Sequence, residues 1–420
     1  MNDTIRTNID LAVSTVESSP AFFLWLSFLI ALMGLAGYAL LVSIIHSVEV
    51  LEISVNLIWT MMISNYVFLV TSSIGLCLVS SLGLVFGIKR FNLIAKRGYF
   101  LALITIVLGL LGVLLHLGHP ERSQNNFLSP NITSAMWWMS ILYPPYIGSL
   151  AVTFWLLARA DLAKISRVSN GLKAKVYELL TLRQLDRFID LAGGELKAAR
   201  LFGILSIILG LTAYSVEGTL FAHTEVRAFW YGSEYSLYFL FGALLSGFAW
   251  LPALTIITYK ARSEKIPAEL KDLFLFMAQI MVLLISIGLL LTVGKLGYGL
   301  FQEAEIDTVL LLLSGPFRIN FWVIEIGIGY IVPFLLLVYA IYRGNLAGVA
   351  VGSLMIMFGL FVYRYDFVVV AQVFPVLKEG LPSYRPTIME TMLVSGLLAG
   401  CLFLYTLGDR FLPLKNSDVS

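Results

Sequence analysis

The stretch LLHLGHPERSQNNF, residues 114–127, begins as apolar helix and ends as polar loop. It places His116, His119, Glu121 and Arg122 within seven positions of a chain that has only four histidines. An imidazole titrates near neutrality and suits proton transfer or metal ligation. Further ionisable residues stand inside apolar runs: Glu217 in YSVEGTLF, Glu325 in FWVIEIG, and Arg364 with Asp366 in YRYDFVV. A charge in hydrocarbon costs about 2.5–3.5 kcal/mol or more, so such residues normally face a cavity or one another. The chemistry these types offer is proton exchange, with Glu217 the residue hardest to explain otherwise. A structural ion pair of Arg364 and Asp366 with Glu325 is the competing reading. Lys295 and Glu390 stand at helix ends, where a lysine can snorkel; His46 and His223 are expected as interfacial side chains reaching headgroups.

Aromatic and hydrogen-bonding groups gather near the same residues. Trp59, Ser64, Asn65 and Tyr66 open one apolar run; Ser134, Met136, Trp137 and Trp138 open another, followed by Tyr143-Pro144-Pro145-Tyr146; Phe321-Trp322 opens a third. The two prolines are expected to kink their helix. Aromatic belts are normal at membrane interfaces, but a flat ring-shaped ligand needs the same groups: aromatic walls, a cleft and a few hydrogen-bonding side chains. Gly118 and Pro120 end the run that carries His116, which is expected to hold Glu121 and Arg122 in a tight cap rather than free in solvent.

What must position these residues is a membrane bundle. The chain is 59% hydrophobic and 13% charged, against about 45–50% and about 25% in ordinary soluble domains. Ten runs are long enough to span, near 21–46, 58–88, 98–118, 134–158, 201–223, 236–259, 271–296, 318–342, 346–371 and 387–410. Lipid forces backbone groups to bond within each segment, so the spans are helices. The expected fold is all-α and polytopic, with two helical-bundle halves. IDTVLLLLSGP, residues 306–316, is too short to span and is expected as an interfacial or re-entrant piece. With the N-terminus inside, 21 of the 28 Lys and Arg residues fall on the side of both termini and seven on the other. The positive-inside rule then makes both termini cytoplasmic. In that orientation all four histidines and the buried acids lie toward the external side, and no comparable acid or histidine falls in the inner half.

The organisation reads as residues 1–158 with a cytoplasmic tail and four spans, a cytoplasmic amphipathic loop over 159–200, and residues 201–420 with six spans and the C-terminal tail. The loop carries nine basic and five acidic residues, with Asn170-Gly171 and Gly193-Gly194 as breaks. Cys77 and Cys401 lie far apart inside apolar runs, so they read as small buried hydrophobes and offer no iron–sulfur or zinc ligand set. Asp3, Asp10 and Glu17 beside a lone Arg6 argue against a cleavable signal. Nothing in the sequence points to nucleic acid.

HLGHPER…SPNITSAMWW (116–138) resembles the HLGxPER…TS stretch of the NrfD/polysulfide-reductase membrane-subunit family. GPFRINFWVIEIGIGYIVPFLL (315–336), YRYDFVVVAQ (363–372), LPSYRPTIMETMLVSG (381–396) and WTMMISNYVFLV (59–70) fit it as well. The chain looks most like ten-helix members such as the HybB-type hydrogenase anchor and the DsrP-type sulfite-reduction anchor. The resemblance implies a quinone-interacting anchor of a respiratory complex in the bacterial cytoplasmic membrane. Such an anchor binds menaquinone or ubiquinone near the external face and carries no haem or iron–sulfur cluster of its own. The implied partner is an extracytoplasmic iron–sulfur, ferredoxin-like subunit, with a molybdopterin, hydrogenase or multihaem cytochrome subunit beyond it. His116, Gly118, Pro120, Glu121 and Arg122 match the signature, Glu325 the acid after the Phe-Trp pair, and Arg364 the basic position of span nine. Ser72-Ser73-Ile74-Gly75 departs from it where many members carry a histidine, so the resemblance assigns that stretch no quinone role.

On this reading His116, Glu217 and Asp366 are the proton-handling residues, and Asn65, Tyr66, Trp137, Tyr143, Glu325 and Arg364 bind the quinone. Gly118, His119, Pro120, Glu121 and Arg122 form a cap or partner contact. Protons are expected to exchange externally and electrons to leave to another subunit. A di-histidine b-haem cytochrome, a secondary transporter and a purely structural anchor stay open as alternatives.

Overall fold

The computed structural model describes residues 19–46, 57–169, 171–182, 192–224, 227, 229–230, 235–373 and 384–415. The N-terminal tail, the His46 side chain, residues 183–191 of the loop and the start of LPSYRP lie outside the described residues.

Twelve helices of eight or more residues are described: α1 Pro20–His46, α2 Met61–Leu84, α3 Asn92–His116, α4 Ala135–Val168, α5 Gly171–Leu180, α6 Ala192–Ala222, α7 Tyr235–Ala261, α8 Ala268–Leu300, α9 Ile306–Leu313, α10 Asn320–Arg343, α11 Leu346–Val373 and α12 Ile388–Phe411. Ten of them are long and apolar enough to cross a membrane, one for each span read from the sequence, and the described residues contain no strand. The protein is a multi-pass membrane protein. Residues 306–313 form α9, a two-turn helix against α8, α10 and α11, as the short apolar run requires.

Helices α2, α3, α4 and α6 pack as one four-helix bundle, and α7, α8, α10 and α11 as a second. The fifth span, α6, therefore packs with the spans that precede the loop. Helix α2 joins the halves by packing against both α7 and α11, and is itself almost wholly buried. Small residues permit this closeness: a Cβ on Gly75 would overlap the Ala243 carbonyl, and one on Gly247 would overlap the Gly75 carbonyl. Helix α1 packs against α12, and α12 covers α3; most of α1 keeps an apolar surface turned outward, as a lipid-facing helix does.

The two ends of the bundle differ in how they treat charge. At the Arg97 end, Lys96 meets Asp161 at 2.5 Å, Arg97 meets Asp409 at 2.8 Å, and Arg159 meets Glu195 at 2.7 Å; Arg262 also pairs with Asp409. Asp161 and Glu195 are buried, which corrects the expectation of an inner half without comparable acids. The loop is shorter than its polarity suggests. Helix α4 runs on to Val168 and α6 starts at Ala192, which places Gly193-Gly194 inside a helix, while α5 begins at Gly171 with a positive φ of 65°. These helix extensions carry Asp161 into reach of Lys96 on α3 and Glu195 into reach of Arg159 on α4. At the opposite, His116 end, the buried acids Glu217, Glu325 and Asp366 form no ion pair among the described residues.

Candidate functional site

The His116 end contains three groups of candidate residues. In the first, Tyr66 on α2 and Tyr143 on α4 share a hydrogen bond at 3.0 Å, and Tyr143 donates to Glu217 Oε2 on α6 at 3.5 Å. Glu217 is fully buried and its Oε1 has no partner. Tyr143 immediately precedes Pro144-Pro145, and α4 continues through both prolines.

The Tyr214 hydroxyl, one turn before Glu217 on α6, is the centre of a neighbouring set of bonds. It donates to the Phe239 carbonyl at 2.6 Å and lies 3.1 Å from Thr71 Oγ1, and it accepts from Arg364 Nη2 at 3.2 Å. The Arg364 guanidinium lies 4.1 Å from the Phe239 ring centroid, a cation–π contact, and its Nη1 has no partner. Gly242 makes room for it, since a Cβ there would stand 2.7 Å from Nη2. The interior group thus gathers Tyr66, Tyr143, Glu217 and Arg364 of the expected residues. Tyr214 is the member that the sequence did not single out; it stands three residues before Glu217, on the same helix face.

The second group opens to a cleft. Glu325 of α10 and Tyr363, Asp366 and Phe367 of α11 line it, together with Lys295 of α8, Phe321 and Tyr238. The first half of α10, Asn320–Ile331, is a π-helix that becomes α-helical at Val332, just before Pro333. Wide turns of this kind occur often at functional sites. Here the wide turn buries Phe321 and Glu325, and it carries Asn320, which donates to Asp366 Oδ1 at 3.2 Å; Asp366 Oδ2 has no partner. The Lys295 ammonium lies 3.9 Å from the Phe229 ring centroid, 4.5 Å from that of Tyr235 and 5.3 Å from that of Phe367. It faces an aromatic box rather than snorkelling away. Arg364 and Asp366 point to different sides of α11, toward the interior network and the cleft respectively, and form no ion pair with each other or with Glu325.

The third group surrounds the start of α2. His116 is buried at the end of α3, with Nε2 3.1 Å from the Ile58 carbonyl. A bond to a carbonyl requires Nε2 to carry the hydrogen, and Nδ1 has no partner. Gln372 accepts from the backbone N–H groups of Ile58 and Trp59, each at 3.0 Å, and Tyr384 accepts from Met61 N–H at 3.0 Å. Gln372 and Tyr384 belong to this clamp although the sequence did not single them out. Asn65 is fully buried with neither amide atom partnered, close to Gly112, one turn before His116. Asn65 and Tyr66, neighbours in sequence, therefore serve different groups. Trp137 is half-buried at the start of α4, packed edge-on against Trp138, with its indole N–H unpartnered.

The cap after α3 is a tight turn, but its side chains face solvent. Pro120–Gln124 forms a 3₁₀ turn with Pro120 at its start, and Gly118, His119, Glu121 and Arg122 are exposed. This corrects the expectation that Glu121 and Arg122 are withheld from solvent: the turn contributes no buried residue. Glu121 pairs with His119 at 2.9 Å; its own backbone N–H, and then His119, hold its carboxyl below the usual range. Glu390 closes a capping box with Thr387 at the start of α12 and accepts from Tyr384 at 2.7 Å. His223, exposed at the end of α6, bonds the Thr219 carbonyl at 2.9 Å, as an interfacial helix-end histidine can.

The family described as polysulphide reductase, NrfD, matches residues 49–376. The chain is 26% identical to a selenate reductase subunit of Mesobacillus selenatarsenatis over 386 residues, 86% of this chain and 87% of that protein. It is 22% identical to the Hdr-like menaquinol oxidoreductase integral membrane subunit of Archaeoglobus fulgidus over 412 residues, covering 94% of this chain and 93% of that protein. A putative dimethyl sulfoxide reductase membrane subunit of Halobacterium salinarum is 24% identical over 387 residues, 86% of this chain and 84% of that protein.

Proposed function

The chain belongs to the polysulphide reductase NrfD family, and from that premise we propose that it is the quinone-linked membrane subunit of a reductase complex. It oxidises a quinol, or reduces the quinone, near the His116 end, and it exchanges the electrons with a catalytic partner subunit on the external side of a bacterial cytoplasmic membrane. The relatives are named as subunits of reductases or oxidoreductases, two of them as membrane subunits and one as part of a menaquinol oxidoreductase. The matched stretches cover 84–94% of each chain, so the likeness extends over most of the subunit.

The observation that carries the reading is the contrast between the two ends. Carboxylates at the Arg97 end sit against Lys and Arg, whereas Glu325 and Asp366 line an aromatic cleft with no ion pair among the described residues. A structural role for buried acids favours pairing. Acids left beside phenols, an amide, ring faces and the Lys295 ammonium that lies over those rings are equipped instead to take and give protons.

The chemistry this asks of the residues is limited. Oxidation of a quinol releases two electrons and two protons. The electrons pass to the partner subunit, and the protons need acceptors within reach of the two ring oxygens. Phe321 and Phe367 supply apolar walls for a flat ring, Tyr363 and Tyr238 supply hydroxyls, and Glu325 and Asp366 supply acceptors. His116, with Nδ1 as its acceptor, and Glu217 extend proton exchange beyond the cleft.

The test is quinol oxidation by the assembled complex. Glu325→Gln and Asp366→Asn each keep the side-chain volume and remove the proton acceptor, and each is expected to lower turnover by about 10²-fold or more with the complex intact. Near-wild-type turnover in both would overturn the assignment of the cleft.

A further inference from the structure

We propose that the first bundle holds a proton path along one face of α2, connecting Glu217 to the Arg97 end. It goes beyond the quinone reading, because it concerns traffic through the depth of the bundle rather than the cleft.

Tyr66, Ser73, Cys77 and Ser81 fall at i, i+7, i+11 and i+15 of α2, which places them on one helix face. All four are buried. Three of them meet a phenol that can both donate and accept. Tyr66 bonds Tyr143 at 3.0 Å, Ser73 bonds Tyr146 at 3.0 Å, and Ser81 bonds Tyr99 at 2.7 Å. Cys77 stands one turn from both Ser73 and Ser81 on this face. Ser73 and Ser81 give their hydrogens to the Ala102 and Cys77 carbonyls at 2.8 and 2.7 Å and so accept from Tyr146 and Tyr99. Passing a proton on requires each hydroxyl to turn from its carbonyl, which a rotating group with one hydrogen and two lone pairs can do.

The path has two defined ends. Tyr143 meets Glu217, whose Oε1 is buried and unpartnered. Tyr99 lies one turn from Lys96, in the layer where Lys96 pairs with Asp161. Along α2 the groups run over 15 residues, about 22 Å at about 1.5 Å per residue, most of a hydrocarbon core about 30 Å thick. Tyr143 and Tyr146 are one turn apart on α4, and the path requires a water or a turning hydroxyl to bridge them. On the positive-inside orientation this path serves Glu217 from the cytoplasmic side. This path is then the main exchange route of Glu217, while the Glu325 and Asp366 cleft keeps its own exchange with the external water.

The experiment measures hydrogen–deuterium exchange of the Glu217 carboxyl by infrared spectroscopy of the full chain in bilayers. Its band is identified by loss in Glu217→Gln, at a pH low enough for the protonated carboxyl to be present. Wild-type exchange is expected to be fast. Ser73→Ala with Tyr146→Phe should slow it at least tenfold, Cys77→Val should slow it, and Cys77→Ser should restore it. Ser149 and Ser206 bond each other elsewhere between α4 and α6, and their joint replacement by Ala should leave the rate unchanged. Unaltered exchange in the Ser73→Ala/Tyr146→Phe protein, or equal slowing in the Ser149/Ser206 control, would overturn the path. Neither result depends on a quinone, so failure of the Glu325 and Asp366 test would leave this one standing.

Discussion

His116 and Gln372 hold the same residue from opposite sides: His116 Nε2 bonds the Ile58 carbonyl at 3.1 Å, and Gln372 Oε1 accepts the Ile58 N–H at 3.0 Å. Helices α3 and α11 thereby fix the entry to α2, the helix that joins the two bundles. His116 accordingly has a positioning role whatever its Nδ1 does, and the two roles separate by substitution. His116→Ala leaves the carbonyl unbonded, an expected cost of about 1–3 kcal/mol read as a lower melting temperature. His116→Gln restores a donor of similar reach and should recover the stability. If Nδ1 also takes a quinol proton, His116→Gln still oxidises quinol at least tenfold more slowly. Full turnover in that variant would leave His116 as a clamp alone.

The helical architecture is legible from the sequence because lipid leaves the backbone no alternative: each apolar run maps onto one helix, including the short α9. The grouping of acids at the His116 end is legible for the same reason, since an ionisable residue inside an apolar run stands out. Which side chains meet is not legible, because a 100° step separates sequence neighbours on a helix. Asn65 and Tyr66 part in this way, as do Arg364 and Asp366. Tyr214, Gln372 and Tyr384 escape notice because single phenols and amides in such runs look like ordinary interfacial residues. The buried acids of the Arg97 end read as loop because helices α4 and α6 outrun their apolar stretches, and charged helix ends carry no hydropathy signal.

Gly242 and Arg364 give a second test, on the interior network. A Cβ at Gly242 would press on Nη2, the far end of a flexible side chain, rather than on backbone. Gly242→Ala is therefore expected to fold and assemble while turning Arg364 away from Tyr214. Melting should change little and quinol oxidation should fall several-fold. A large loss of stability with unchanged turnover in the surviving protein would show that Arg364 only fills space.

The Arg97 end predicts the opposite pattern. Arg97 donates to Tyr405 at 2.7 Å and pairs with Asp409, and the two charged side chains are 2% and 4% exposed. Asp409 also receives Arg262. Asp409→Ala takes the carboxylate partner from the deeply buried Arg97, whereas Arg262 keeps Glu264 and the backbone carbonyl of residue 409; removal of one partner from a buried pair costs about 3–5 kcal/mol. Thermal melting of the purified chain should drop sharply, with turnover per folded molecule near wild type. An unchanged melting temperature would mean that water reaches Arg97 and that this layer is not closed.

The crossing of α2 with α7 is the least tolerant point. A methyl group on Gly75 would overlap the Ala243 carbonyl, and one on Gly247 would overlap Gly75 backbone. Backbone cannot rotate away as a side chain can, so the two helices must separate. Overpacking of this kind typically costs about 1–3 kcal/mol even where side chains adjust. Here the separation also loosens the Ser73 face of α2 and draws α11, which packs on the same helix, away from it. Gly75→Ala and Gly247→Ala should each abolish recovery of folded protein in detergent. Gly34→Ala, on α1 with nothing near its Cβ position, should be neutral in the same assay. Stable, active Gly75→Ala protein would mean that the bundles are held together elsewhere, and that the tight crossing is not what sets the distance between the cleft and the interior network.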